Sequence, residues 1–129
     1  MSTLKADTIQ NTSGGAATLT KQEAAKVLCT FDGTASGATV RTSFNVSSTD
    51  DDDTGQYGVN FTSAMSGTEF TTVAGNIGDG TTLQRVSGFV SAFGANTTTS
   101  INISAVEADA GTSYKDWNHI NTVVHGDLA

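Results

Sequence analysis

The residues best equipped for chemistry are four consecutive carboxylates, Asp50-Asp51-Asp52-Asp53. Asp50-x-Asp52-x-Thr54-Gly55 begins like a calcium loop, which gathers hard oxygen ligands from alternate positions. An EF-hand also needs a bidentate Glu at its twelfth position, and Phe61 stands there. The EF-hand is rejected, and Asp50 and Asp52 stay as candidates for a weaker calcium site. The plainer expectation is a solvated acidic loop from Ser47 to Gly55, held extended by repulsion among its charges. His119 and His125 are the two histidines. On a strand they share a side but stand about 20 Å apart, at roughly 3.3 Å per residue. Asp116, Asp127 and His125 suggest parts of a triad, yet no Ser sits in a Gly-x-Ser-x-Gly elbow. No carboxylate spacing is diagnostic of paired acid-base work. The expectation is therefore a non-enzyme with no catalytic residues and no cofactor.

Cys29 is alone, so it forms no internal disulfide, and it lies in the apolar run Val27-Leu28-Cys29 as a buried thiol. Tyr114 and Trp117 lie in or beside the polar stretch from Gly111 to Trp117. Exposed aromatics beside polar groups stack on sugar rings or anchor protein contacts, which makes the pair candidates for surface recognition. The alternative is that Trp117 closes a thin core.

The elements that must position these residues are strands. The chain has 129 residues, enough for one domain, and 22 Thr, 13 Ser and 14 Gly against no Pro. Thr suits a pleated, half-buried surface and Gly punctuates turns. From Lys26 onward the apolar residues alternate. Val27, Cys29 and Phe31 share a face. The run Ala38, Val40, Thr42, Phe44 and Val46 reads as one strand, and Tyr57, Val59 and Phe61 as another. Further strands are expected over Phe70 to Ala74, Leu83 to Phe93 (apolar on both faces), Ile101 to Ala105 and Ile120 to Val124, with a loop from Glu107 to Asp116. Six to eight short strands and their turns predict an all-β, antiparallel β-sandwich or jelly-roll-like domain over 26–129.

Residues 1–25 differ. Their large apolar residues are Leu4, Ile9 and Leu19, around Thr12-Ser13-Gly14-Gly15-Ala16-Ala17. Such a segment buries too little surface to offset its ordering entropy. It reads as an extended N-terminal arm that binds a partner through Leu4, Ile9 and Leu19. Thr20-Lys21-Gln22-Glu23 matches a helix-start pattern for one short turn.

Charge narrows the partners. Six basic and 13 acidic residues give a net charge of −7, with no basic cluster. Attraction to a phosphate backbone or to anionic lipid is not expected. No apolar run reaches the roughly 20 residues of a membrane helix, and the first residues lack the apolar core of a secretory signal. The expectation is a protein made and folded in a cytoplasm.

The stretches Phe31-Asp32-Gly33-Thr34, Val40 to Ser48, Thr54-Gly55, Tyr57 to Thr62, Ala64-Met65 and Val123 to Asp127 resemble a β-rich module of structural proteins in marine tailed phages, cyanophages in particular. The opening, Ser2 to Gly15, is similar to the start of many such virion proteins. The acidic run and the absence of an aromatic at Leu28 or Cys29 depart from that pattern. The resemblance implies a virion location and a tail-fibre or spike-class surface component. Its arm would dock on other virion proteins, its β-domain would reach the host surface, and by analogy it would be a homotrimer. Two alternatives stand beside it: a capsid decoration (cement) protein on the head, and a lectin-like carbohydrate-binding module using Tyr114, Trp117 and the acidic residues.

Overall fold

The computed structural model describes residues 12–14, 25–77, 94–107, 113–127 and 129. Among them there is no helix. The nine strands are β1 (Ala25–Asp32), β2 (Thr39–Phe44), β3 (Val46–Asp53), β4 (Gln56–Phe61), β5 (Thr71–Ile77), β6 (Ser100–Ser104), β7 (Val106–Glu107), β8 (Ser113–Tyr114) and β9 (His119–His125). One antiparallel sheet has the order β2-β1-β9-β5, a second β3-β4-β6, and β7 pairs with β8.

The two larger sheets pack face to face, as alternation requires of strands with one apolar side. Val27, Cys29 and Phe31 of β1 and Ile120 and Val124 of β9 meet Tyr57, Val59 and Phe61 of β4 and Ile101 and Ile103 of β6 in one cluster. Phe31 and Tyr57 join the layers edge to face, with ring centroids 5.2 Å apart. Phe61 makes a similar contact with Phe70 at 6.2 Å. Met65 and Trp117 close the cluster. Thr122 shares the inward face of β9 at 1% exposure, and its hydroxyl has no hydrogen-bond partner.

Three expectations change here. The segment expected as one strand over 38–46 is two strands in different sheets. The break is Asn45, in the left-handed region at φ 57°. Asn tolerates that conformation because its short amide bonds locally. Its Oδ1 accepts from Ser63 N at 2.7 Å, and its Nδ2 donates to Ser63 O at 3.2 Å. The side chain thus replaces a backbone pair where the chain changes sheets. The acidic loop is, in its larger part, strand β3, with Asp50 opposite Gly58 and Asp51 opposite Tyr57. Charge favours this strand as an edge, where carboxylates stay solvated and deter further pairing. The expected loop after Glu107 carries β8 near its end. The arm, the helix start at Thr20-Lys21-Gln22-Glu23 and the strand from Leu83 to Phe93 lie outside the described residues, Thr12 to Gly14 excepted.

Gly55 turns β3 into β4 at φ 65°, and a Cβ there would lie 2.5 Å from Ala105 O and 2.6 Å from Lys115 N. Only Gly satisfies both the backbone angle and the space. This turn belongs to a lock at one end of the sandwich. Asp116 Oδ1 accepts from Gly55 N at 2.6 Å and from the Tyr57 hydroxyl at 2.8 Å. Gly33 N donates to Trp117 O at 2.9 Å, and Ala105 N to Gly55 O at 2.7 Å. The lock ties the turn after β1, the β3–β4 turn, the end of β6 and the segment before β9.

Candidate functional site

The candidate site is the outward face of the β2-β1-β9-β5 sheet. Register places Phe44 opposite Leu28, Leu28 opposite Val123, and Val123 opposite Val73. Directly opposed residues in a sheet share a face. Four apolar side chains therefore form one row across all four strands, on the side turned away from the core. Phe44 is 60% exposed, Val73 59% and Leu28 38%. Single exposed apolar residues are ordinary, and a contiguous row of them is what makes this face the candidate.

The next row is Thr42, Thr30, Asn121 and Gly75. Thr30 Oγ1 and Asn121 bond to each other at 2.9 Å, so they satisfy themselves. No atom lies within 4 Å of where a Cβ on Gly75 would stand, so the space above the strand is open there. Beyond it, a bulge between Thr30 and Phe31 sets Arg41 beside Asp32 and His119. Arg41 donates to Asp32 Oδ2 at 2.5 Å and to His119 Nε2 at 2.6 Å. Thr34 donates to Asp32 Oδ1 through its hydroxyl at 2.7 Å and its backbone N at 3.0 Å. The Thr34 hydroxyl first, then the Arg41 guanidinium, hold the Asp32 carboxyl down at about 2. This corner is a self-satisfied polar cluster.

The residues expected to act at a surface separate. Tyr114 is exposed at 49%. Trp117 is 6% exposed, with Lys115 Nζ 4.8 Å from its ring centroid. Of its two readings, Trp117 follows the one in which it closes the thin core, and the recognition pair is left with Tyr114 alone at the surface. Asp50 Oδ2 accepts from Asn60 Nδ2 at 2.7 Å, and Asp50 and Asp52 both approach the bare backbone of Gly58. Among the described residues no three His, Cys, Asp or Glu side chains gather as a metal site. Leu4, Ile9 and Leu19 lie outside the described residues.

The triad fragments do not meet as a unit. Asp116 is engaged in the Tyr57 lock. His125 and Asp127 line a shallow cavity of about 290 Å³ with Glu69, Phe70, Thr71 and Gly126. Burial pushes the Tyr57 phenol far above its ordinary value, and the Asp116 carboxylate adds to the shift. Burial likewise pushes the Cys29 thiol up to about 11, which makes it a poor nucleophile.

Sequence reasoning missed the apolar row because its members come from four strands. The available signal was a lapse in alternation: Val27-Leu28 and Val123-Val124 each put an apolar residue on both faces. Comparison of the chain with family models, curated proteins and solved structures gives no match.

Proposed function

We propose that this chain is a non-enzymatic structural component of a tailed-phage virion, of the tail-fibre or spike class. The observation that carries the reading is the Phe44–Leu28–Val123–Val73 row, an apolar surface on a two-sheet scaffold. The sequence resemblance over 1–15 and 26–65 supplies the virion context. In this reading the N-terminal arm docks on other virion proteins through Leu4, Ile9 and Leu19, gaining its order on binding. The β-domain, jelly-roll-like in connectivity, is the outer part, packs in a homo-oligomer and presents Tyr114 toward the host surface. The chain works at the virion after synthesis in the host cytoplasm.

A capsid decoration protein uses the same arm and the same apolar face, and copy number separates the two. Quantitative mass spectrometry of purified particles gives tens of copies for a tail component and hundreds for decoration. Absence from the particle overturns both. The lectin reading has less to stand on, because Trp117 is buried and Asp50 is engaged by Asn60. A glycan array with and without chelator tests it.

A further inference from the structure

We infer that the edge strand β2 is a hinged flap: it opens from β1 as a unit while the rest of the sandwich stays folded, with its latch at Arg41 and its hinge at Asn45. The inference stands on the packing of this strand and does not depend on the virion reading.

β2 lies at the edge of its sheet and adds no residue to the core cluster. All six of its residues are exposed. Among the described strands four face three, and β2 overhangs. Its register shows the overhang. Val40 stands opposite Phe31 and Ser43 opposite Cys29, so both occupy inward positions. Phe31 and Cys29 are fully buried, yet Val40 is 38% exposed and Ser43 is exposed as well. From Thr34 to Asn45 the one buried residue is Ala38. A segment with few buried apolar contacts and exposed backbone hydrogen bonds opens at lower cost than the whole fold.

The two ends of β2 are held in different ways. At its far end Asn45 is bonded twice to the Ser63 backbone, and Phe44 beside it stands across from Leu28. That end stays in place and acts as the hinge. The latch is polar. Arg41 reaches over β1 to His119 of β9 at 2.6 Å and bonds Asp32 at 2.5 Å on the way. Thr49 Oγ1 donates to Ala38 O at 2.5 Å. Surface pairs of this kind hold weakly, and the Arg41 and Asp32 side chains are both solvent-accessible. Two features work against closure. The bulge between Thr30 and Phe31 interrupts the ladder that joins β1 to β2. Ala38 sits at φ 49°, which is unfavourable for a residue with a Cβ. Opening releases that backbone angle, and the bonds it breaks lie at or near the surface.

The open flap makes β1 the edge and bares the backbone groups that faced β2. Cys29 loses its cover on that side, where Ser43 is its neighbour. In the closed form the thiol is 0% exposed, and burial holds it up at about 11. It is the sole cysteine of the chain, so its reaction with a thiol reagent counts openings.

Labelling of Cys29 in the full chain with the disulfide reagent DTNB, from 0 to about 2 M urea, tests the inference. The labelling free energy should fall with urea at under about a quarter of the slope of global unfolding, because little surface is exposed. Hydrogen exchange read by NMR should find the β2 amides that bond to β1 at least tenfold less protected than those of β9. R41M should speed labelling about threefold, the effect of losing a surface ion pair. T30C combined with T42C gives the opposite perturbation. The two positions are directly opposed, so a disulfide between them pins β2, and Cys29 then labels with the full slope of global unfolding. Labelling of the parent chain at that full slope overturns the inference, and so do β2 amides as protected as those of β9. R41M labelling at the parent rate overturns the latch. Fast labelling that persists in the folded, pinned variant shows that Cys29 is reached by another route and overturns the flap. The parent chain supplies the first two readouts by itself, so the inference stands or falls even where a variant does not fold.

Discussion

Replacing Asp116 by Ala should destabilise the fold by about 3 kcal/mol. The carboxylate accepts two hydrogen bonds on one oxygen, from Gly55 N at 2.6 Å and from the Tyr57 hydroxyl at 2.8 Å. Tyr57 is fully buried and Gly55 is buried beneath the segment before β9. Truncation leaves the Gly55 N–H without an acceptor, a loss of roughly 1–3 kcal/mol for a buried donor. The phenol falls back on Gly33 O at 3.2 Å, exchanging a hydrogen bond to a charged group for a weaker one. Asp116→Asn keeps an acceptor at the same place and should cost only about 1 kcal/mol. Tyr57→Phe leaves the Gly55 bond in place and should cost about 1.5 kcal/mol. The order of damage is thus D116A, then Y57F, then D116N. Urea denaturation reads it directly. At a slope of about 2 kcal/mol per M, D116A should move the midpoint down by about 1.5 M without changing the slope. If D116A lies within about 0.5 kcal/mol of the parent chain, the lock does not hold this end of the sandwich and the reasoning fails.

Four further outcomes follow from the same structure. Thr122→Val should stabilise the chain by about 1 kcal/mol in thermal or urea melts, because it removes a buried hydroxyl that has no partner. Gly55→Ala should cost more than about 2 kcal/mol or abolish folding, since φ 65° and two backbone atoms within 2.6 Å both oppose a Cβ; a melting temperature equal to the parent's would refute this. In acid, the Asp32 carboxyl is held at about 2 in the fold against 3.8 in its absence. Its contribution is therefore complete above about pH 4 and is lost as pH falls through 2, and Asp32→Asn should flatten that part of the stability profile. In base the sign reverses: the folded Tyr57 phenol is held above its unfolded value near 10, so the unfolded chain sheds its proton first and stability falls as pH rises past about 10. Tyr57→Phe should remove that component.

The inward faces were legible because each is a local pattern with one physical cause. Val27, Cys29 and Phe31, then Tyr57, Val59 and Phe61, alternate because one side of each strand is dry. Alternation could not show where a strand leaves its sheet. The break at Asn45 depends on a side chain that bonds to Ser63, 18 residues away. The acidic run read as a loop because charge opposes strand propensity, whereas an edge strand accepts charge. For Trp117 the sequence left two readings, surface recognition or closure of a thin core, and only packing decides between them: a small sandwich needs a large side chain to close its end. The apolar row was least legible, since Phe44, Leu28, Val123 and Val73 become neighbours only through register.

The most direct test of the assembly reading is incorporation of surface-charged chains into particles. Folded F44K and V73K, supplied in place of the parent chain, are quantified by mass spectrometry in purified virions. The account predicts parent chain at fixed stoichiometry and at least a tenfold loss of each variant. Variants present at parent levels would contradict the claim that this sheet face joins the protein to its neighbours.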